Sequence, residues 1–280
     1  MAPSLYRGRL APSPTGLLHL GHPSTFRTAQ LRAQSAGGTL LLRNEDLDPQ
    51  RSRQEFVEAM IEDLIWLGIL WKPPMISQSG RTELYSASFD RLLQQGDVYP
   101  CKCSRKDLAR MMQAPHEDID DEPVYDGRCR PAGRSPGLIH GMNYRFRVRD
   151  GETINFTDGN LGPQCFTAGK DFGDFLIWRK DGLPSYQLAC VVDDAGTNIT
   201  EVVRGRDLLK STARQILLQR ALGLSTPAYY HANLLTDEHG IRLAKRHDGL
   251  AIRTLRGQGL TPGEVLQMAA ANMTTVTSNS

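Results

Sequence analysis

Residues 9–22 read Arg-Leu-Ala-Pro-Ser-Pro-Thr-Gly-Leu-Leu-His-Leu-Gly-His, and no other stretch constrains the fold as tightly. Arg7 to Ala11 suits a short strand. Pro12 to Gly16 is a loop by composition, and a helix is predicted from about Pro23 to Ser35, closed by Gly37 and Gly38. A strand fed through a loop into a helix is the opening unit of an α/β sheet. The pattern then repeats. Thr39 to Arg43 is an apolar run suited to a buried parallel strand, and residues 44–49 form a polar loop at its carboxyl end. Ser52 and Glu55 match a capping box, and Phe56, Met60, Leu64 and Leu67 give one apolar helical face before Gly68. A further helix is predicted over about 81–95, with Tyr85, Phe89, Leu92 and Leu93 inward and Gly96 at its stop.

Residues 97–142 break this rhythm with clustered cysteines, an acidic run and many Pro and Gly, which reads as an insertion. Asn143 to Arg149 alternates cleanly. Tyr144, Phe146 and Val148 are predicted on one face, and Arg145, Arg147 and Arg149 on a solvent face. Phe175 to Arg179 reads as a strand before a turn at residues 180–182. Thr200 to Val203 is a strand candidate, residues 204–207 a turn, and Leu208 to Leu222 a helix with Asp207 as its N-cap. Strand–helix alternation on both sides of an insertion predicts an α/β fold with a parallel sheet split into two halves. The last ten residues read as a frayed tail.

The 280 residues suffice for a substantial core, and 40% hydrophobic with 23% charged residues is ordinary for a globular chain. No apolar run approaches the roughly 20 residues of a membrane span, and residues 1–9 lack an apolar leader, so a cytoplasmic protein with no membrane partner is expected. A net charge of +2 does not by itself argue for nucleic acid. Five cysteines, an odd number, argue against a disulfide framework. Cys165 and Cys190 stand apart and are expected to be buried.

Two segments carry chemistry. His19 and His22 bracket Leu20-Gly21 where loop becomes helix, a place that favours anions. Gly21 lets a flat base or a phosphate approach the backbone, and the imidazoles can donate to phosphate oxygens. Cys101, Cys103 and Cys129 are three thiols in need of a fourth ligand if they hold zinc, and Tyr125, His116 and Cys165 are the candidates. His116 is the better ligand on general chemistry.

The 9–22 string closely resembles the first signature of the glutamyl- and glutaminyl-tRNA synthetases, a class I element that binds ATP behind a loop lining the amino-acid pocket. Three further stretches resemble that family in the same order. They are Leu42-Arg43-Asn44-Glu45-Asp46-Leu47-Asp48, the region of Tyr186, and Val202-Val203-Arg204-Gly205-Arg206-Asp207. The resemblance implies a glutamate site of Arg9, Leu10, Ala11, Pro12, Ser13, Glu45, Tyr186 and Arg204. Arg9 and Arg204 would pair with carboxylates through planar forks. Glu45 would receive the α-ammonium, and Tyr186 would close the pocket. It implies an ATP site of His19, Gly21, His22 and Lys245, with His19, His22 and Lys245 catalytic and Mg2+ accompanying the nucleotide. Lys245 lies in Arg242-Leu243-Ala244-Lys245-Arg246, which departs from the family's "KMSKS" pattern at its first position and at Ala244. A cation there would stabilise charge on the departing phosphates.

The Cys-x-Cys followed by Tyr-x-x-x-Cys resembles the insertion of the short glutamyl-Q-tRNA(Asp) synthetases. In that family tyrosine is the fourth ligand, which implies one structural zinc on Cys101, Cys103, Tyr125 and Cys129. The implied organisation is a nucleotide-binding first half at 1–98, an insertion with the zinc site at 99–183, a second half at 184–240, and the "KMSKS"-like loop with a short helical tail at 241–280. Only 35 residues follow Lys245, too few for the anticodon-binding region of longer relatives, so none is expected. The implied activity is activation of L-glutamate with ATP without tRNA, then transfer to queuosine in the anticodon stem-loop of tRNA(Asp), by a monomer. The rival readings are a truncated glutamyl-tRNA synthetase charging tRNA(Glu) and a non-catalytic tRNA-binding paralogue.

Overall fold

The structure is a computed structural model that describes residues 5–103, 107, 124–133, 137–235 and 251–271. In chain order its elements begin with β1 (Arg7–Leu10), α1 (Gly21–Ser35), β2 (Thr39–Asn44), α2 (Gln54–Trp66), β3 (Lys72–Ser77) and α3 (Thr82–Gln95). Next come β4 (Val98–Cys101), β5 (Asn143–Phe146), β6 (Thr153–Asp158), β7 (Gly162–Thr167), β8 (Phe175–Trp178) and α4 (Tyr186–Gly196). β9 (Glu201–Gly205), α5 (Leu209–Ala221), β10 (Ala228–Ala232), α6 (Ile252–Gly257) and α7 (Pro262–Ala271) complete the set. No helix among the described residues is long and apolar enough to cross a membrane.

The chain gathers into two compact units. The first comprises Met1–Ser79, Ile199–Arg206 and Ala228–Ser280. Here β1, β2 and β3 form a parallel sheet, with Arg7 opposite Thr39 and Leu10 opposite Leu42. β9 and β10 are also parallel, with Arg204 opposite His231. β9 lies alongside β1, where the Thr200 amide donates to the Arg7 carbonyl at 2.9 Å. Leu10, Leu42, Leu64, Ile69, Ile252 and Val265 are all buried in one core. Parallel strands covered by helices bury both faces, which is why Leu40, Leu41 and Leu42 follow one another without alternation. Glu201 fastens α1 to β9, accepting from Arg32 Nη2 at 2.6 Å and from the Tyr6 hydroxyl at 2.8 Å.

The second unit comprises Gly80–Asn198 and Asp207–Pro227. Residues 80–98, grouped by sequence with the first half of the nucleotide-binding fold, belong to this unit. Its sheet is antiparallel, in the order β4-β5-β8, and β6 and β7 form an antiparallel hairpin.

Several local expectations change. Helix α1 starts at Gly21, which brings His22 into its first turn. The capping box is not formed: Arg53 is the N-cap residue of α2, and the buried Ser52 hydroxyl has no partner among the described residues. Glu55 instead lies 3.3 Å from Arg53. Asp207 is not an N-cap either, because a short 3-10 turn at Arg206–Leu208 precedes α5 and Leu208 holds the cap position. Arg204 and Gly205 belong to β9 rather than to a turn. Cys165 is exposed on β7, whereas Cys190 is buried as expected. Arg145, expected on a solvent face, is buried.

Candidate catalytic and metal sites

In the first unit the loop after β1 turns sharply into α1. The His19 amide donates to Nδ1 of His22 at 3.1 Å, and the Gly21 amide donates to Nδ1 of His19 at 3.2 Å. The two ring centroids lie 4.0 Å apart. A Cβ on Gly21 would sit 3.1 Å from Cε1 of His19, so a larger residue there would press on that ring. With Nδ1 accepting, neutral His19 carries its proton on Nε2, the nitrogen that can donate to a phosphate. The segment is tied from behind: His19 bridges Ala251 in antiparallel fashion, and the Ile252 amide donates to the Leu18 carbonyl at 2.8 Å.

Arg9, Glu45 and Arg204 of the implied amino-acid site sit at or just past the carboxyl ends of parallel strands, where an open α/β sheet offers its crevice. Arg9 is buried at the end of β1 and donates through Nη1 to the Val203 carbonyl at 3.0 Å. Glu45, just past β2, is held by Arg43 at 3.0 Å, with the Ser13 hydroxyl at 3.5 Å and its own amide donating to the Pro12 carbonyl at 3.1 Å. Arg204 is buried on β9, and its Nε donates to Nε2 of the fully buried His231 at 3.2 Å. Leu10 and Pro12 are buried, Ala11 is half-buried and Ser13 is exposed. Thus Arg9, Ser13, Glu45 and Arg204 belong to one unit with His19, Gly21 and His22. Tyr186 belongs to the second unit. It is the first residue of α4, 37% exposed, behind Ser185, whose hydroxyl accepts from the Leu188 amide at 3.4 Å. Lys245 and its neighbours Arg242, Leu243, Ala244 and Arg246 lie outside the described residues, as does His116.

Two residues that sequence reasoning passed over shape this site. Arg43 orients Glu45, and its place in the quoted 42–48 stretch was a usable signal. His231 orients Arg204. Nothing in the run Tyr229-Tyr230-His231 announces this, because the pairing depends on β10 lying parallel to β9.

The second unit holds a cluster of three thiols. Cys101, Cys103 and Cys129 offer sulfur atoms that all lie within 4.8 Å of one another. The Tyr125 hydroxyl is 3.5 Å from both Cys101 Sγ and Cys103 Sγ, and Cys103 Sγ is 3.6 Å from Cys129 Sγ. A tetrahedral zinc, with Zn–S of about 2.3 Å and Zn–O of about 2.0 Å, requires S···S near 3.8 Å and S···O near 3.5 Å. The residues therefore fit such an ion, with tyrosine as the fourth ligand. Cys165 is exposed and outside the cluster. Burial pushes the Cys103 thiol up to about 11. It also raises the Tyr125 phenol, an effect reinforced by hydrogen bonds with the cysteines. Burial opposes ionisation of Cys129 too, but the hydrogen bond with Tyr125 and others hold that thiol below its ordinary value. A buried group that resists carrying negative charge gains most from a cation beside it.

Gly173 approaches the tyrosine from behind. A Cβ there would lie 2.9 Å from both the backbone nitrogen and the carbonyl oxygen of Tyr125, so only glycine lets the two segments pack. Arg145 covers the other side, with its guanidinium carbon 4.1 Å from the Tyr125 ring centroid and its Nε donating to Cys101 Sγ at 3.3 Å.

Comparison with known proteins identifies the family. Residues 6–279 match the family model described as tRNA synthetases class I (E and Q), catalytic domain. The chain is 45% identical over 272 residues to a glutamyl-Q tRNA(Asp) synthetase of Symbiobacterium thermophilum, covering 92% of this chain and 84% of the relative. It is 38% identical to the protein of that name in Rhodobacter capsulatus, covering 93% and 98%. Among solved structures, a glutamate tRNA ligase of Elizabethkingia meningosepticum in complex with its amino acid superposes with a TM-score of 0.75 at 26% identity. That match covers 95% of this chain but spans only 60% of the ligase. The chain belongs to the class I tRNA synthetases of the glutamyl and glutaminyl type, ATP-dependent ligases with a parallel α/β catalytic fold, and within them to the glutamyl-Q tRNA(Asp) synthetases.

Proposed function

We propose that the protein activates L-glutamate with ATP, without tRNA, and transfers the glutamyl group to the cyclopentenediol of queuosine at the wobble position of tRNA(Asp). The observation that carries this reading is the gathering of Arg9, Glu45 and Arg204 at strand ends of the unit whose helix α1 begins at Gly21-His22. In the first step a glutamate carboxylate oxygen attacks the α-phosphorus of ATP. That P–O bond forms, the bond to the β-phosphate bridge breaks, and pyrophosphate leaves. In the second step a hydroxyl of the diol attacks the acyl carbon, an ester forms, AMP leaves, and the hydroxyl proton passes to phosphate or solvent.

The residues divide this work. Arg9 and Arg204 are already held by Val203 and His231, so their planar forks meet the two carboxylates of glutamate with little ordering left to do. Glu45 takes the α-ammonium while Arg43 fixes one of its oxygens. The backbone from Leu10 to Ser13 lines the pocket floor, and the family resemblance assigns Tyr186 to the substrate as well. His19 and His22 donate to the nucleotide phosphates, and Gly21 leaves room for the nucleotide, which enters with Mg2+. Lys245 stabilises the charge growing on pyrophosphate. Cys101, Cys103, Tyr125 and Cys129 would hold one zinc, whose role would be structural, because four protein ligands would leave no open position for substrate. The enzyme acts as a cytoplasmic monomer on the anticodon stem-loop.

The test is incubation with labelled glutamate, ATP and an isolated anticodon stem-loop of tRNA(Asp), with and without queuosine, beside intact tRNA(Glu). Label is expected on the queuosine-bearing stem-loop alone. Label on the 3′ end of tRNA(Glu), or on the stem-loop lacking queuosine, would overturn the acceptor.

A further inference from the structure

We propose that Arg145 is a positioning residue of the Cys101–Cys103–Tyr125–Cys129 centre, balancing the charge of its thiolates and clamping the tyrosine ring in ligand position. The inference rests on the metal reading above and extends it to a residue outside the ligand set. Arg145 is only 3% exposed, although it stands on a strand whose alternation places it among outward-facing arginines. Its placement follows from the sheet. β4 and β5 are antiparallel with Tyr99 opposite Arg145 and Asn143 opposite Cys101, so Arg145 stands diagonally across from Cys101. At that spacing a long side chain reaches its diagonal neighbour.

Two donors of the guanidinium have distinct targets. Nε points at Cys101 Sγ at 3.3 Å, and Nη1 donates to the Asp174 carbonyl at 2.8 Å. The plane lies over the Tyr125 ring at 4.1 Å, within the range of cation–π attraction. The neighbouring Asp174 carboxylate is engaged elsewhere. Arg130 donates to it at 2.5 and 2.6 Å, the Val148 amide at 2.8 Å, and Tyr99 through its hydroxyl. This network fixes the Asp174 backbone that holds Nη1. Arg145 is thereby aimed from a rigid support.

The electrostatics give the arrangement its purpose. Three thiolates outnumber the charge of a divalent ion by one, and a tyrosine that ligates as phenolate, its proton lost to solvent, widens the excess. One buried guanidinium bonded to a sulfur offsets a unit of it, and an N–H···S bond also tunes how strongly that sulfur binds. Stacking holds the ring so that its hydroxyl stays 3.5 Å from two sulfurs. A flexible tyrosine would lose rotamer freedom each time it ligated, and the stacked plane removes that freedom beforehand.

The experiment uses the full chain. Zinc content, the rate of zinc release to a chelator, and the spectrum of the cobalt(II)-substituted protein are compared for wild type, Arg145→Met, Arg145→Gln and Arg145→Lys. Arg145→Met and Arg145→Gln are expected to release zinc about 10-fold faster or more, the usual scale for losing a partner of a metal ligand. Their cobalt bands should shift toward those of Tyr125→Phe, and Arg145→Lys should recover part of the release rate. A purely structural arginine would lower the melting temperature and leave the cobalt bands of the folded protein in place. Wild-type release rates and wild-type bands in the folded variants would overturn the proposal while leaving the metal reading intact. Wild-type protein that retains no zinc would overturn the metal reading itself. Should Arg145→Met fail to fold, Arg145→Gln, close in size and neutral, carries the same comparison.

Discussion

At the residue scale, the charged side chains of the candidate site are held by charged or polar neighbours. Arg43 holds Glu45 from two residues away, a contact the ordered motif carries within itself, whereas His231 reaches Arg204 only because β10 pairs with β9. Asp63 on α2 likewise depends on the fold around it. It reads as a polar position on an amphipathic helix, yet it is fully buried, and neither carboxylate oxygen has a hydrogen-bond partner among the described residues. Burial pushes its carboxyl up to about 6, against the opposing charges of Arg253 and Arg256. Arg253 Nε lies 3.8 Å away, and that arginine also pairs with Glu62. An acid whose folded value is raised holds its proton more tightly in the folded state. Its favourable contribution is full below the ordinary carboxylate range and disappears as pH climbs through about 6. Asp63→Asn has no such titration. The melting temperature of the variant minus that of wild type should therefore rise between pH 4 and pH 7. A difference that stays flat over that window would show that Asp63 does not titrate there.

At the element scale, periodicity and glycine stops located α1, α2 and α3 to within a few residues. Gly68 and Gly96 mark the ends of α2 and α3 with left-handed backbone, at φ of 69° and 82°. What periodicity does not show is what covers a face. β5 alternates like a half-exposed strand, but Tyr125 and the two cysteines around β4 close over its second face and bury Arg145. No local pattern connects Tyr125 to Cys101, because a long polar and acidic stretch holding Pro115 and Pro123 separates them. The Gly173 contact is legible only in three dimensions, and it makes a sharp prediction. Gly173→Ala places a methyl 2.9 Å from backbone atoms of Tyr125, so the tyrosine segment must move by several tenths of an ångström. Faster zinc release is expected, by about 10-fold on the scale of losing a supporting contact to a ligand. Gly133→Ala, where an added methyl meets nothing within 4 Å, is the control and should release zinc at the wild-type rate. Equal rates in both variants would mean that the approach of Gly173 does not hold the ligand.

At the scale of the whole molecule, the parallel α/β class was readable from strand–helix alternation, but the partition of the chain was not. The sequence suggests a core interrupted by one insertion. Instead the chain passes between the two units four times, at 79/80, 198/199, 206/207 and 227/228. Residues 199–206 are a single strand, β9 with its flanks, contributed to the first unit between two stretches of the second. That strand carries Arg204 and the Val203 carbonyl that holds Arg9. Unfolding the second unit would leave β9 tethered at both ends to disordered chain, and the conformational entropy of those ends would pull against its place beside β1. The two units should therefore lose structure in one cooperative transition, although only one of them carries the thiol cluster. Removing zinc with a chelator should lower the temperature at which glutamate-dependent pyrophosphate exchange is lost. That temperature should fall together with the melting of the unit that carries the thiol cluster, followed by the fluorescence of Trp178 in a variant whose Trp66 and Trp71 are replaced by phenylalanine. Exchange that survives well above that melting transition would show that β9 holds its position without the second unit, and the coupling argued from the four crossings would be wrong.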